Sequence, residues 1–163
     1  MERETNGYEI IGDNIKIKWH EGFNDSNVTH TQVSGYIFNK NNELLIVKNN
    51  SSWTIPGGHP EGNESHLETL NREIMEEACM TIKDAVLMGA VEVCDNGKTY
   101  YQYRYTARVD KILPFVQEWE TSERMFVNLN ELENFIPWAN GRVFGEQLKS
   151  ATNYWELSDA KRT

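Results

Sequence analysis

The chain has 163 residues, 39% of them hydrophobic and 11% aromatic, enough for one domain with a real core. Its formal net charge of -9 argues against a protein that grips long nucleic acid. No apolar run approaches the ~20 residues needed to span a bilayer, and the polar start MERETNGYEI resembles no signal or transit peptide. These readings, with two cysteines in no disulfide or zinc pattern, lead us to expect a cytoplasmic protein with free thiols at Cys79 and Cys94.

No repeat, low-complexity tract or linker divides the chain, so residues 1–163 are read as one domain, with 1–24 as an N-terminal hairpin extension. Ile15, Ile17 and Trp19 alternate with Lys16 and Lys18, the pattern of a half-buried strand. Gly12-Asp13-Asn14 turns it back on Tyr8 to Ile11. Glu21 to His30 reads as a loop, Thr31 to Phe38 as a strand, Asn39 to Asn42 as a turn and Glu43 to Lys48 as a second strand. Trp53 to Pro56 leads into Gly57-Gly58, where glycines let the backbone approach a ligand.

Ser65, with Glu68 three residues on, is a capping box for a helix reaching about Ala78. Leu67, Leu70, Ile74 and Ala78 form its expected apolar stripe. Strands are expected over 85–94 and 98–109, joined at Asn96-Gly97, a type I′ hairpin signal. A further strand is expected over 125–129, a short helix over 131–135, a break at Pro137 and a terminal helix over 141–157 carrying Phe144, Leu148, Ala151 and Trp155. Strands and helices mix without regular βαβ alternation, which favours an α+β fold or a mixed sheet.

The chemistry concentrates between Gly58 and Met80, GHPEGNESHLETLNREIMEEACM. Glu73, Glu76 and Glu77 stand three and four residues apart, so one helix face carries all three carboxylates. From Glu61 to Glu77 there are six glutamates against one arginine. Like charges this close repel, and a divalent cation relieves them. A phosphate also needs intervening cations to approach.

This segment closely resembles the Nudix box, G-x5-E-x7-R-E-U-x-E-E-x-G-U with U a bulky apolar residue. Gly58, Glu64, Arg72, Glu73, Ile74, Glu76, Glu77 and Met80 match, and Cys79 stands where the box has its last glycine. The resemblance implies an α/β/α sandwich around a mixed sheet. It also implies a hydrolase that uses Mg2+ or Mn2+ to cleave a diphosphate linkage in a nucleoside diphosphate derivative. A nucleoside triphosphate or modified nucleotide is slightly favoured over a dinucleoside polyphosphate or nucleotide sugar.

It further implies metal ligation by Glu73, Glu76 and Glu77, with Gly57 offering a carbonyl. Gly58 serves the turn. Arg72 orients carboxylates, and Glu64 serves beside them or as a ligand itself. Glu120 is the choice for a fourth carboxylate from outside the box, with Glu118 and Glu123 as rivals. Glu73 and Glu120 both remain candidates for the general base. For substrate, Arg104 and Arg108 on one face of a strand suit phosphates, while Tyr103 on the other face, Trp53 and Phe38 suit a base. Partners are expected to be a small nucleotide, with no membrane. Many relatives dimerise, and a homodimer stays open. The rival reading is a Nudix-like sensor that binds a nucleotide without cleaving it.

Overall fold

A computed structural model of the protein describes residues 6–25, 27–28 and 30–157, without the side chains of residues 30 and 31. Among the described residues, nine strands and two α-helices follow in the order β1 (Glu9–Gly12), β2 (Ile15–Glu21), β3 (His30–Phe38), β4 (Leu44–Asn49), β5 (Ser52–Thr54), β6 (Gly57–Gly58), α1 (His66–Ala78), β7 (Met80–Asp95), β8 (Lys98–Ile112), β9 (Thr121–Val127) and α2 (Arg142–Tyr154). Two 3-10 turns, Leu129–Asn134 and Pro137–Asn140, lie between β9 and α2. The main sheet runs β1-β2-β7-β8-β3-β4-β5, with β6 on β3 and β9 on β4. β3 and β8 are parallel and the other pairs antiparallel, so the sheet is mixed, in an α+β sandwich.

Strand alternation sorts the core into two layers. Val33, Ile37, Leu45 and Val47 face the layer that packs on Leu70, Ile74 and Ala78 of α1. Tyr36, Phe38, Leu44 and Ile46 face the opposite layer, with Ala151 of α2 and Leu132 and Ile136 of the turns before it. Helix α1 begins as its sequence dictates. The Ser65 side chain accepts from the Glu68 amide, and the Glu68 carboxylate accepts from the Ser65 amide. The N-terminal hairpin forms and lies along β7, pairing Ile15 with Asp95 and Glu21 with Gly89.

Several expectations need correction. Leu67 is 40% exposed, because it lies one turn before Leu70, where the core layer ends; Thr69 is buried in that turn instead. The hairpin strands β7 and β8 are longer than expected at their far ends, where Met80 pairs with Ile112 and Ile82 with Val109, an alternation too short and too mixed with charged residues to stand out. Strand β9 starts at Thr121 and stops at Val127, because pairing with β4 recruits its polar half and Asn128 caps the following 3-10 turn. The expected helix over 131–135 is that 3-10 turn. In α2 the buried positions are Val143, Gln147, Ala151 and Thr152, while Phe144, Leu148 and Trp155 pack at the margin.

Cys79 holds the left-handed conformation, φ 55° and ψ 47°, that glycine would take at this helix end. The helix ends there in register, and the Cys79 Sγ accepts from the Val116 amide at 3.4 Å. Cys79→Gly is expected to leave stability unchanged or raise it by up to about 1 kcal/mol, by removing the left-handed penalty. A thermal melt checks this; a fall of several degrees means the sulfur contact outweighs the backbone strain.

Candidate active site

Glycines of β6 bring the backbone against α1. Gly57 pairs with Ser34 of β3, and a Cβ there would collide with the Ser34 hydroxyl and the Val33 carbonyl. The Gly57 amide donates to Glu77 Oε1 at 2.9 Å. A Cβ on Gly58 would run into the Glu73 carboxylate. The two glycines thus seat two of the three helix carboxylates against the sheet edge.

Arg72 is the cationic hub. Its Nε donates to Glu64 Oε2 at 2.7 Å and its Nη2 to Glu64 Oε1 at 3.1 Å, a two-pronged pair. Nη1 donates to Glu73 at 3.2 Å and to Glu76 at 3.3 Å, and Nη2 to the His59 carbonyl at 2.8 Å. Glu64 also accepts from the Glu61 amide and the Thr69 hydroxyl. Arg72, helped by these donors, lowers the Glu64 carboxyl to a pKa of about 2. This folded value lies below the unfolded one of 4.5, so the contribution is complete above pH 4.5 and is lost as pH falls toward 2. Acid titration of the thermal midpoint is expected to show a loss over that window, and Glu64→Gln is expected to flatten it.

Burial pushes Glu73 up. Glu77 goes further, raised to about 8 by burial first and then by the charges of Glu73, Glu120 and Glu76, against the Gly57 amide. Arg72 makes no bond to Glu77 among the described residues. Glu120 is exposed and its charge reaches Glu77, whereas Glu123 pairs with Lys48 at 3.4 Å. Glu118 is exposed in the preceding loop.

Sequence reasoning missed what anchors this end of the helix. Thr121 Oγ1 donates to the Glu77 carbonyl at 2.8 Å, and Arg124 Nη1 to the Ala78 carbonyl at 2.7 Å. Both come from β9, more than forty residues away, with no local pattern to announce them. Among the described residues, no three acidic, histidine or cysteine side chains already converge as a closed metal cage. The donors are hard oxygens with surplus negative charge, and that chemistry fits a divalent cation that keeps several waters.

A cavity of about 530 Å3 opens beside Glu77 and Gly57, between the sheet and α2. Arg104 lines it with Gln32, Gln102 and Gln147. Asn49 Oδ1, also in the lining, is buried with no hydrogen-bond partner among the described residues. Four of the residues singled out for substrate stand elsewhere. Phe38 and Tyr103 are fully buried core, Tyr103 on the α1 side of the sheet. Trp53 packs edge-on against Phe135. Arg108 lies over the Trp155 ring and donates to the Asn39 carbonyl and Asn42 Oδ1, holding the β3–β4 turn. Their burial or packing withdraws them from the cavity. Its glutamines and Trp138 were missed, since neutral amides and one tryptophan give no spacing signal.

This fold and box together define a Nudix domain. A family model described as NUDIX domain matches residues 28–144, and the chain belongs to that family. Nudix hydrolases generally use divalent metal ions. No curated protein matches the chain. Among solved structures it is similar to a pyrophosphohydrolase of Bacillus subtilis, with a TM-score of 0.72 and 19% identity over 88% of this chain and 94% of that one. A NUDIX hydrolase from Nitrosomonas europaea gives 0.64 and 18%, over 77% and 89%. An Ap4A hydrolase from C. elegans gives 0.60 and 17%, over 78% and 98%. At these identities the likeness is one of fold. Among the described residues no helix is long and apolar enough to cross a membrane.

Proposed function

We propose that the protein hydrolyses a diphosphate linkage in a nucleoside diphosphate derivative with the help of Mg2+ or Mn2+. The observation that carries this reading is the surplus of carboxylates at Glu73, Glu76 and Glu77, with Glu73 and Glu77 packed against Gly58 and Gly57 and Arg72 alone bonded to Glu73 and Glu76. Those three glutamates, the Gly57 carbonyl and Glu120 would hold the cation. When bound, the ion supplies charge neutralisation for the diphosphate and a more acidic water. Arg72 aims Glu73 and Glu76 through Nη1, and Glu64 keeps Arg72 in place. Glu73 or Glu120 takes the proton from the attacking water. The new bond is from water oxygen to phosphorus, the P–O bond of the bridge breaks, and the leaving phosphate departs with the electron pair.

A nucleoside triphosphate or modified nucleotide is the favoured substrate. The pyrophosphohydrolase and Ap4A hydrolase named among the similar structures support the class without choosing within it. A sensor would be marked by lost carboxylates, and here all three remain around an intact helix end. Residues 1–24, of which 1–5 lie outside the described residues, are read as an extension of a single domain, in keeping with a family match that begins at residue 28. The two free thiols suit a reducing compartment such as the cytoplasm. A homodimer is tested by sedimentation.

Purified protein incubated with a nucleotide panel and Mg2+ or Mn2+ is expected to release phosphate or pyrophosphate, and EDTA to stop it. A lack of turnover on every member, with no metal binding by calorimetry, overturns the proposal. A stable, uncleaved nucleotide complex in the presence of metal favours the sensor.

A further inference from the structure

The floor of the cavity is a cation without a counter-ion. Arg104 Nε donates to Gln147 Oε1 at 3.0 Å, Nη1 to Gln32 Oε1 at 3.1 Å and Nη2 to Gln102 Oε1 at 3.1 Å. A fourth bond runs from Nη1 to the Tyr103 carbonyl at 3.2 Å. Among the described residues no carboxylate lies within ion-pairing distance of Arg104.

The consequence for the amides is fixed by chemistry, because a guanidinium has donors only. Each glutamine must turn its oxygen to Arg104, which leaves its NH2 group to find another acceptor. Gln147 finds one in the Val143 carbonyl at 3.2 Å. Gln102 and Gln32 find none among the described residues, and one Nη2 hydrogen of Arg104 is likewise left over. Gln102 and Arg104 are two apart on β8, so they share a face, and the Gln102 oxygen sits on that same Nη2. At the Nη2 end the floor therefore presents two neighbouring donors, with the Gln32 amide at the Nη1 end. The unpaired acceptor in the lining, Asn49 Oδ1, is on β4, which pairs with β3 only at Phe38 and Leu44, while β6 lies beside β3 in the row of Ser34 and Arg104.

The floor also stands at a defined distance from the carboxylates. Ser34 is in register with Arg104 on one side and Gly57 on the other. Arg104 is thus two strand spacings, about 10 Å, from the glycine that holds Glu77. That separation suits a nucleoside whose phosphates reach the glutamates. The volume of about 530 Å3 and the half-exposed Trp138 with Phe144 in the walls suit a flat ring better than a phosphate.

We propose that this cavity seats the substrate's nucleobase, and that the paired donors of Arg104 and Gln102 select a base with two neighbouring acceptors, guanine or hypoxanthine, over adenine. Guanine offers O6 and N7 side by side, whereas adenine sets an N6 donor beside N7. In adenine one of the two floor donors meets another donor.

The inference rests on the nucleotide reading above but is tested by binding, without turnover. GMP, IMP and AMP are titrated by calorimetry into the whole protein. GMP and IMP are expected to bind about tenfold more tightly than AMP. In Arg104→Gln, GMP and IMP are expected to fall to the AMP level while AMP changes little. If that variant fails to fold by circular dichroism, Gln102→Leu is expected to erase the same preference. Equal affinities in the wild type, no binding of any of the three, or a variant that weakens all three alike overturns the proposal, the last because Arg104 then meets phosphate. A guanine preference that persists in a protein without hydrolytic activity leaves this inference standing and removes the proposed reaction.

Discussion

Glu77→Gln is expected to cut turnover by at least about a hundredfold, while the thermal midpoint in EDTA stays level or rises. The amide keeps the shape of the side chain, and its oxygen still accepts from the Gly57 amide. What it loses is charge. Burial and three neighbouring carboxylates raise the Glu77 pKa to about 8, so ionisation near neutral pH opposes the metal-free fold. The folded state then holds the proton more tightly than the unfolded one, whose value is 4.5. Stability without metal is expected to fall as pH rises from 4.5 to about 8, a slope that Glu77→Gln reduces and Mg2+ opposes. Thermal melts against pH, with and without Mg2+, read all of this. Turnover close to wild type in the variant means the cation is held elsewhere.

Arg72→Ala is expected to destabilise the protein by about 2–3 kcal/mol near neutral pH, roughly 5–10 °C in midpoint, and to suppress activity as well. The guanidinium is only 20% exposed, and its loss leaves Glu64, Glu73 and Glu76 facing each other without a cation. The cost lies in the unpaired partners more than in any single bond. Arg72→Lys keeps the charge but not the fork, and is expected to recover part of the stability and little of the activity. If Arg72→Ala melts with the wild type, the bridge is an ordinary surface pair.

The helix that carries the carboxylates was legible because its signals are local. Ser65 and Glu68 start it, Leu70, Ile74 and Ala78 face it inward, and steps of three and four gather the glutamates. Asn96 and Gly97, both at positive φ, closed the hairpin for the same reason. The substrate side was not legible. Tyr103 and Phe38 look like base-stacking residues in a string of letters, yet they fill the two core layers. Arg104 and Arg108 look equivalent on one face of β8. One lies at the cavity floor and the other props a turn.

Spacing along the chain was enough to determine the acidic helix, its cap, the glycines before it and the family they mark, since each depends on residues within a turn or two of one another. Which end of that helix is clamped by Thr121 and Arg124, and which arginine meets a ring of amides, was decided by strand register. Pairing across β6, β3 and β8 sets Gly57, Ser34 and Arg104 in one row, and no local propensity encodes a partner about seventy residues away.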